Sequence, residues 1–289
     1  MKSKNFLIKN QFIGLFALLV LVAGLLMLSA CDTAGLTKEE LQAKLIEANT
    51  NLETYSFDML MTMDIMTEES GEQVTIKTQT TSKGTFDRIG KKMSLLGAMK
   101  LELNGQEQEL DSNTYVIDNT IYTQVANQWI KMSLNADLWD QQDQVAQMLE
   151  LINSGEIEIL SDETIDGKDF YVVRIHPDLG KLVESVLKQQ QNRDMFNTNM
   201  NFEDIIKDYK SALWINKKSF VIEKIVSEVD MVLTPENIGL ETDEVGELQM
   251  ASITEMNLYG FDEPVIIELP AEAVTAMDLA QLQAAMDQP

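Results

Sequence analysis

The residue in this chain best suited to covalent chemistry is Cys31, the sole cysteine, which follows Leu28-Ser29-Ala30. A thiol behind small residues is an accessible nucleophile, and a lone cysteine has no partner for an internal disulfide. A second group is Met59, Met61 and Met63, three thioethers at period two in a chain with 17 methionines. Flexible, polarizable Met side chains suit core packing or the wall of an adaptable apolar cavity. A Cu(I) site is a third option, but it wants Cys or His close by. The only histidine, His176, precedes Pro177, and no serine or cysteine is marked as its nucleophile partner. Asp162, Glu163, Asp166 and Asp169 crowd a short stretch. They lack the spacing of a calcium loop and read as a solvated hairpin around Asp166-Gly167. Glu241, Asp243, Glu244 and Glu247 read as a solvated loop. No catalytic residue, metal site or cofactor is expected from these patterns.

The elements around Cys31 give its thiol a meaning. Lys2, Lys4 and Lys9 make a positive start, and Phe12 to Leu28 is a charge-free apolar run of 17 residues. Small residues then close it, as an export signal requires. The run is also at the short limit for a membrane-spanning helix. Leu28-Ser29-Ala30-Cys31 resembles the lipobox of bacterial lipoproteins. That resemblance implies a diacylglyceryl group on Cys31 and removal of residues 1–30. The alternative is a free cysteine ending an uncleaved signal anchor. Two acyl chains on one residue are enough for stable anchoring, where one chain is marginal. The expected location is the extracytoplasmic face of a cell membrane.

The whole chain has 22 Lys and Arg against 47 Asp and Glu, a net charge of −25. Residues 1–30 hold three lysines and no acid, so the remainder carries −28. A surface this acidic repels nucleic acid, so no nucleic-acid partner is expected. A 45% hydrophobic content argues against disorder.

Beyond a short tether at 31–36, Thr37-x-x-Glu40 is a capping box opening a helix to about Leu52, with Leu41, Leu45 and Ala48 on its apolar face. The pattern then changes to period two. Tyr55, Phe57, Met59, Met61, Met63 and Ile65 share one face of a strand. Strands are expected at 74–81, 86–87, 93–103, 114–117, 120–125 and 129–134, with turns at Asn104-Gly105, Asp118-Asn119 and Ala126-Asn127-Gln128. Asp137 to Asn153 reads as a helix ending before Gly155. Strands follow at 156–160 and 170–175, then a helix at 177–190, a polar loop to 201 and a short helix at 202–209. The last strands are expected at 212–215, 220–233, 248–259 and 265–269. Pro235 to Glu244 reads as a loop between them, and 271–286 as a terminal helix. Strands that follow strands without crossovers imply a mainly antiparallel sheet in an α+β fold, with one domain over 37–270 and a tail at 271–289.

Four phrases carry a wider likeness: Tyr55-Ser56-Phe57 after the capped helix, Tyr115-Val116-Ile117-Asp118-Asn119-Thr120-Ile121-Tyr122 with Trp129-Ile130-Lys131-Met132, Leu213-Trp214-Ile215-Asn216-Lys217-Lys218, and Val265-Ile266-Ile267-Glu268-Leu269-Pro270. On these the chain resembles the LolA/LppX-type half-barrel lipoproteins, including a related uncharacterised branch. The resemblance implies a strongly curved antiparallel sheet with helices on its concave side. It also implies a lipid or lipid-linked ligand held there. The candidate lining is Phe57, Met59, Met61, Met63, Ile65, Met250, Met256 and Leu258. The alternative is a non-catalytic interaction or sensing module that uses the sheet's outer face or its loops.

Overall fold

The computed structural model describes residues 36–69, 72–103, 105–125, 128–133, 139, 142–178, 205–234 and 247–278. Leu28, Ser29, Ala30 and Cys31 lie outside these, as do 179–190 of the helix expected over 177–190, the loop at 191–201, 202–204 of the helix expected over 202–209 and the loop at 235–244. Residues from Lys38 onward form one compact unit. It opens with helix α1 (Lys38–Thr50), then strands β1 (Thr54–Glu69), β2 (Glu72–Asp87), β3 (Lys92–Leu103), β4 (Gln106–Ile117), β5 (Thr120–Val125) and β6 (Gln128–Ser133). Helix α2 (Gln144–Ser154) follows. The rest is β7 (Glu156–Ile165), β8 (Lys168–His176), β9 (Ile206–Asn216), β10 (Ile222–Leu233), β11 (Leu248–Tyr259) and β12 (Met277–Asp278).

All twelve strands join one sheet in the order β12-β6-β5-β4-β3-β2-β1-β11-β10-β9-β8-β7. Two meanders, β1–β6 and β7–β11, meet where β1 pairs β11. The sheet is open and uncurled, with β7 and β12 as separate edges. The expected class, a mainly antiparallel sheet with helices against it, is the class observed.

Turn chemistry sets the register. Asp118 and Asn119 have φ of 52° and 59°, and Asp166 and Gly167 have 51° and 77°. Each pair is a two-residue hairpin loop whose left-handed backbone matches the strand twist. With register set, alternation decides the faces. Tyr55 lies opposite Phe86, Phe57 opposite Gly84 and Leu258, and Met59 opposite Met256. This face carries the helices. Leu41 and Leu45 of α1, and Val145, Met148, Leu149 and Ile152 of α2, are buried against it. Tyr55, Phe86 and Trp139 stack in sequence, with ring centroids 5.3 and 4.9 Å apart.

Gly84 has no side chain because the Phe57 ring occupies that space. A Cβ built there would sit 2.1 Å from Phe57 Cζ. Gly84→Ala is therefore expected to displace the ring and cost about 1–3 kcal/mol, read as a lower urea midpoint. An unchanged midpoint would show that Phe57 has room to move.

Five expectations change. The helix expected over 137–153 is broken at Asp143, which caps α2 at Gln144; Trp139 before it is also helical, and 137, 138, 140 and 141 lie outside the described residues. Gln106–Asn113 is strand rather than connection; its QEQELDSN run has no apolar face and takes its structure from pairing with β3. Residues 206–209, expected in a helix, are the start of β9. Ile206 and Tyr209 pair with Met231 and Val229, and this cross-strand pairing overrides a weak helical spacing. Val265–Leu269 is not a strand. β11, the strand before it, is already paired on both sides, by β1 and β10, so this segment cannot fold back to pair beside β11. Of the terminal helix expected over 271–286, 279–286 lie outside the described residues, and Ala271–Thr275 is a single 3-10 turn. After it, Met277 and Asp278 pair in parallel with Ile130 and Lys131 on the free edge of β6.

Candidate functional site

The helix-bearing face has two halves. In one half the helices are clamped to the sheet by a buried polar network. Arg88, just after β2, donates through Nε and Nη2 to Asp143 at 2.5 and 3.1 Å. Its Nη1 donates to the carbonyls of Asn49 and Leu52 at 2.7 and 2.9 Å, at the end of α1. Asp143 also accepts from the Tyr55 hydroxyl at 2.9 Å and from the Ala146 amide at 3.0 Å. One carboxylate therefore caps α2, pairs with Arg88 and holds β1. Asn49, fully buried, donates to the Leu45 and Phe220 carbonyls and accepts from the Ile222 amide. It ties α1 to the β9–β10 turn. Among the described residues, no buried side-chain polar atom lacks a partner.

Burial, followed by the Asp143 carboxylate, pushes the Tyr55 phenol well above its ordinary 10.0. A raised phenol favours the protonated folded state. Its contribution is complete below pH 10 and is lost as pH rises from there through the folded value. Wild-type protein is expected to lose stability in that alkaline window by more than Tyr55→Phe, as measured by urea unfolding at pH 8 and about pH 10.5. Parallel losses in the two proteins would refute the assignment.

In the other half the same face runs on past α1 and α2, the helices among the described residues. Met59, Met61, Met63 and Ile65 continue the Tyr55–Phe57 row and are half-buried. Ile65 lies opposite Ile76 and Met250, and Met250 lies opposite Met231. Met61 and Met63 lie opposite Thr80 and Thr78, which pair with Met99 and Leu101. The strip from Met59 to Ile65 is about 20 Å long at about 3.3 Å per residue. Of the expected lining, Phe57, Met256 and Leu258 are at most 4% exposed and belong to the closed core. Met59, Met61, Met63, Ile65 and Met250 lie in the half-buried strip.

The other sequence candidates are surface pairs. His176 is exposed, with Nε2 3.3 Å from Glu158, which also accepts from Arg174 at 3.1 Å. The His176 hydrogen bond, helped by Arg174, holds the Glu158 carboxyl below its usual range. Asp162 pairs with Lys217, Glu163 accepts from the Trp214 indole and Asp169 from the Thr164 hydroxyl. The acidic stretch is thus the expected solvated hairpin. Glu247 is exposed and accepts from Gln249; Glu241, Asp243 and Glu244 lie outside the described residues. No group of acids, His or Cys among the described residues is placed to hold a metal ion. No helix among them is long and apolar enough to cross a membrane.

Among the described residues the arrangement defines a class: one open, mainly antiparallel sheet, with helices α1 and α2 clamped over part of one face and an apolar strip beyond them. The chain belongs to DUF6612, a family of unknown function, whose model matches residues 37–276. No curated relative matches the sequence. Similar solved structures include the lipoprotein LppX of Mycobacterium tuberculosis, at 11% identity and a TM-score of 0.43, over 80% of this chain and 100% of that one. LprF of Mycobacterium bovis is similar at 14% identity and a TM-score of 0.41, over 81% and 98%. A LolA superfamily protein of Nitrosomonas europaea has 12% identity and a TM-score of 0.22, over 83% and 98%.

Proposed function

We propose that this protein is a membrane-anchored extracytoplasmic lipoprotein, acylated on Cys31, that takes a lipid or other hydrophobic ligand on the half-covered face of its sheet. The unit is a single domain over 37–270, and its role is binding rather than catalysis. The observation that carries this is the Met59–Ile65 strip. Its apolar side chains continue the core row yet stay partly accessible, with Ile76, Met99, Leu101, Met231 and Met250 beside them on the same face. Methionine suits such a surface because it adapts its shape to an apolar ligand at small cost. Each ligand methylene buried there contributes about 0.8 kcal/mol.

The test is native mass spectrometry with lipid extraction on residues 32–289 made in cells. Wild type is expected to copurify with acyl lipid. Met63→Asp is expected to lose at least about tenfold of it, since a carboxylate in the strip must be desolvated to admit a chain. Circular dichroism would check that the variant keeps its strands. A wild-type protein free of lipid, or a folded Met63→Asp variant that keeps its full load, would sink the reading.

A further inference from the structure

We infer that the opposite face of the sheet docks a cationic, amphipathic segment of a partner protein, along a diagonal from Leu96 to Ile253. The register puts Asp58, Leu60, Thr81, Lys83, Leu96, Ala98, Glu255 and Asn257 on the face away from the helices. They surround a depression of about 540 Å³. Its floor is low because Ala98 and Thr81 are short, and only backbone of Ser82 and Gly97 lies between the rows. Leu60 and Leu96 are 39% and 44% exposed there.

A second depression of about 270 Å³ lies further along β1 and β11 on the same face, lined by Thr62, Asp64, Glu228, Asp230 and Ile253 among others. Ile253, 50% exposed, lies opposite Thr62 and Glu228. Asp64 and Asp230 both lie opposite Ala251, so its small side chain separates the two carboxylates. The cations bordering this acidic end are Lys77, opposite Asp64, and Lys210, opposite Glu228 and bonded to Asp208. Around the apolar end the charges are already matched, Lys83 with Asp58 and Lys224 with Glu255. The face therefore offers aliphatic contact first and, after it, an excess of negative charge over the two bordering lysines.

Strand spacing and rise make the path from Leu96 to Ile253 about 20 Å long. A helix of about 13 residues covers that length. The complementary partner presents aliphatic side chains followed by Lys or Arg. A second copy of this chain does not fit, because a domain of strongly negative net charge would meet its own sign there. A membrane surface is anionic and does not fit for the same reason.

The test uses the full chain in detergent and a synthetic 18-residue Leu/Lys peptide with leucines at helical spacing, at about 0.15 M salt. Two control peptides replace every Lys by Glu or every Leu by Ser. Fluorescence anisotropy is expected to show binding of the Leu/Lys peptide and at least about tenfold weaker binding of both controls. Leu60→Ser with Ile253→Ser should weaken it about tenfold, and Asp64→Asn with Asp230→Asn about three- to tenfold. Glu107→Gln with Glu109→Gln on β4, also acidic but off the path, should leave it unchanged. Met63→Asp, on the helix-bearing face, should do the same, which separates this site from the lipid site. Equal binding of the Leu-to-Ser peptide, or equal loss in the β4 variant, would reduce the effect to bulk charge and overturn the proposal.

Discussion

Arg88→Ala is expected to cost about 3–5 kcal/mol of folding stability, the range for removing one partner of a buried ion pair. The side chains of Arg88 and Asp143 are only 14% and 8% exposed. Without the guanidinium, the Asp143 carboxylate stays buried with the Tyr55 hydroxyl and the Ala146 amide as its donors among the described residues. The Asn49 and Leu52 carbonyls lose their donor in the same change, so the end of α1 is loosened together with the start of α2. A double-mutant cycle separates the pair from its surroundings. Arg88→Met with Asp143→Leu should lose clearly less than the sum of the single changes, because neither charge is then stranded. It still loses the α2 cap, worth about 1 kcal/mol. Urea midpoints read all of this. A loss below about 1 kcal/mol in Arg88→Ala would mean that water reaches the pair and that it does not clamp the helices.

Cys31→Ser should abolish acylation altogether. Cells fed an alkyne fatty acid are expected to label the wild-type chain and leave the variant unlabelled. The variant should also keep residues 1–30, since the processing implied by a lipobox follows lipid transfer to the thiol. Hydroxyl for thiol changes little in size but removes the nucleophile. The competing reading, an uncleaved apolar anchor of 17 residues, predicts equal sizes for the two chains and no label on either. That pair of results would remove the anchor from the proposed function and leave the apolar strip to be judged alone.

Much of the fold was legible because its signals are local. The Tyr55–Ile65 alternation, the Asp118-Asn119 and Asp166-Gly167 turns, and the 248–259 strand all depend on neighbours in the chain. The apolar face of α1 was legible except at one point: position 49, not 48, completes the buried row. Asn49 gives no apolar signal, and its burial rests on the carbonyl of Phe220 and the amide of Ile222, far along the chain. Arg88 and Asp143 were equally silent. One sits in a turn and the other in a polar run before a helix, 55 residues apart. Only the N-cap position of Asp143, three residues before Ala146, carried a readable hint.

The site divides along the same line. Spacing alone put Phe57, Met59, Met61, Met63 and Ile65 on one face of one strand, because side chains alternate at period two whatever the strand meets. It could not say where along that face the core ends. Among the described residues that was decided by α1 and α2 and the network that holds them, with Phe57, Met256 and Leu258 buried and Met61, Met63, Ile65 and Met250 half-buried. The outer diagonal from Leu96 to Leu60 to Ile253 was likewise invisible, since it exists only once four strands are in register. A repeat of two or of 3.6 residues can be read along a chain. The burial of a residue depends on what lies across from it, and that is set by pairing between segments distant in sequence.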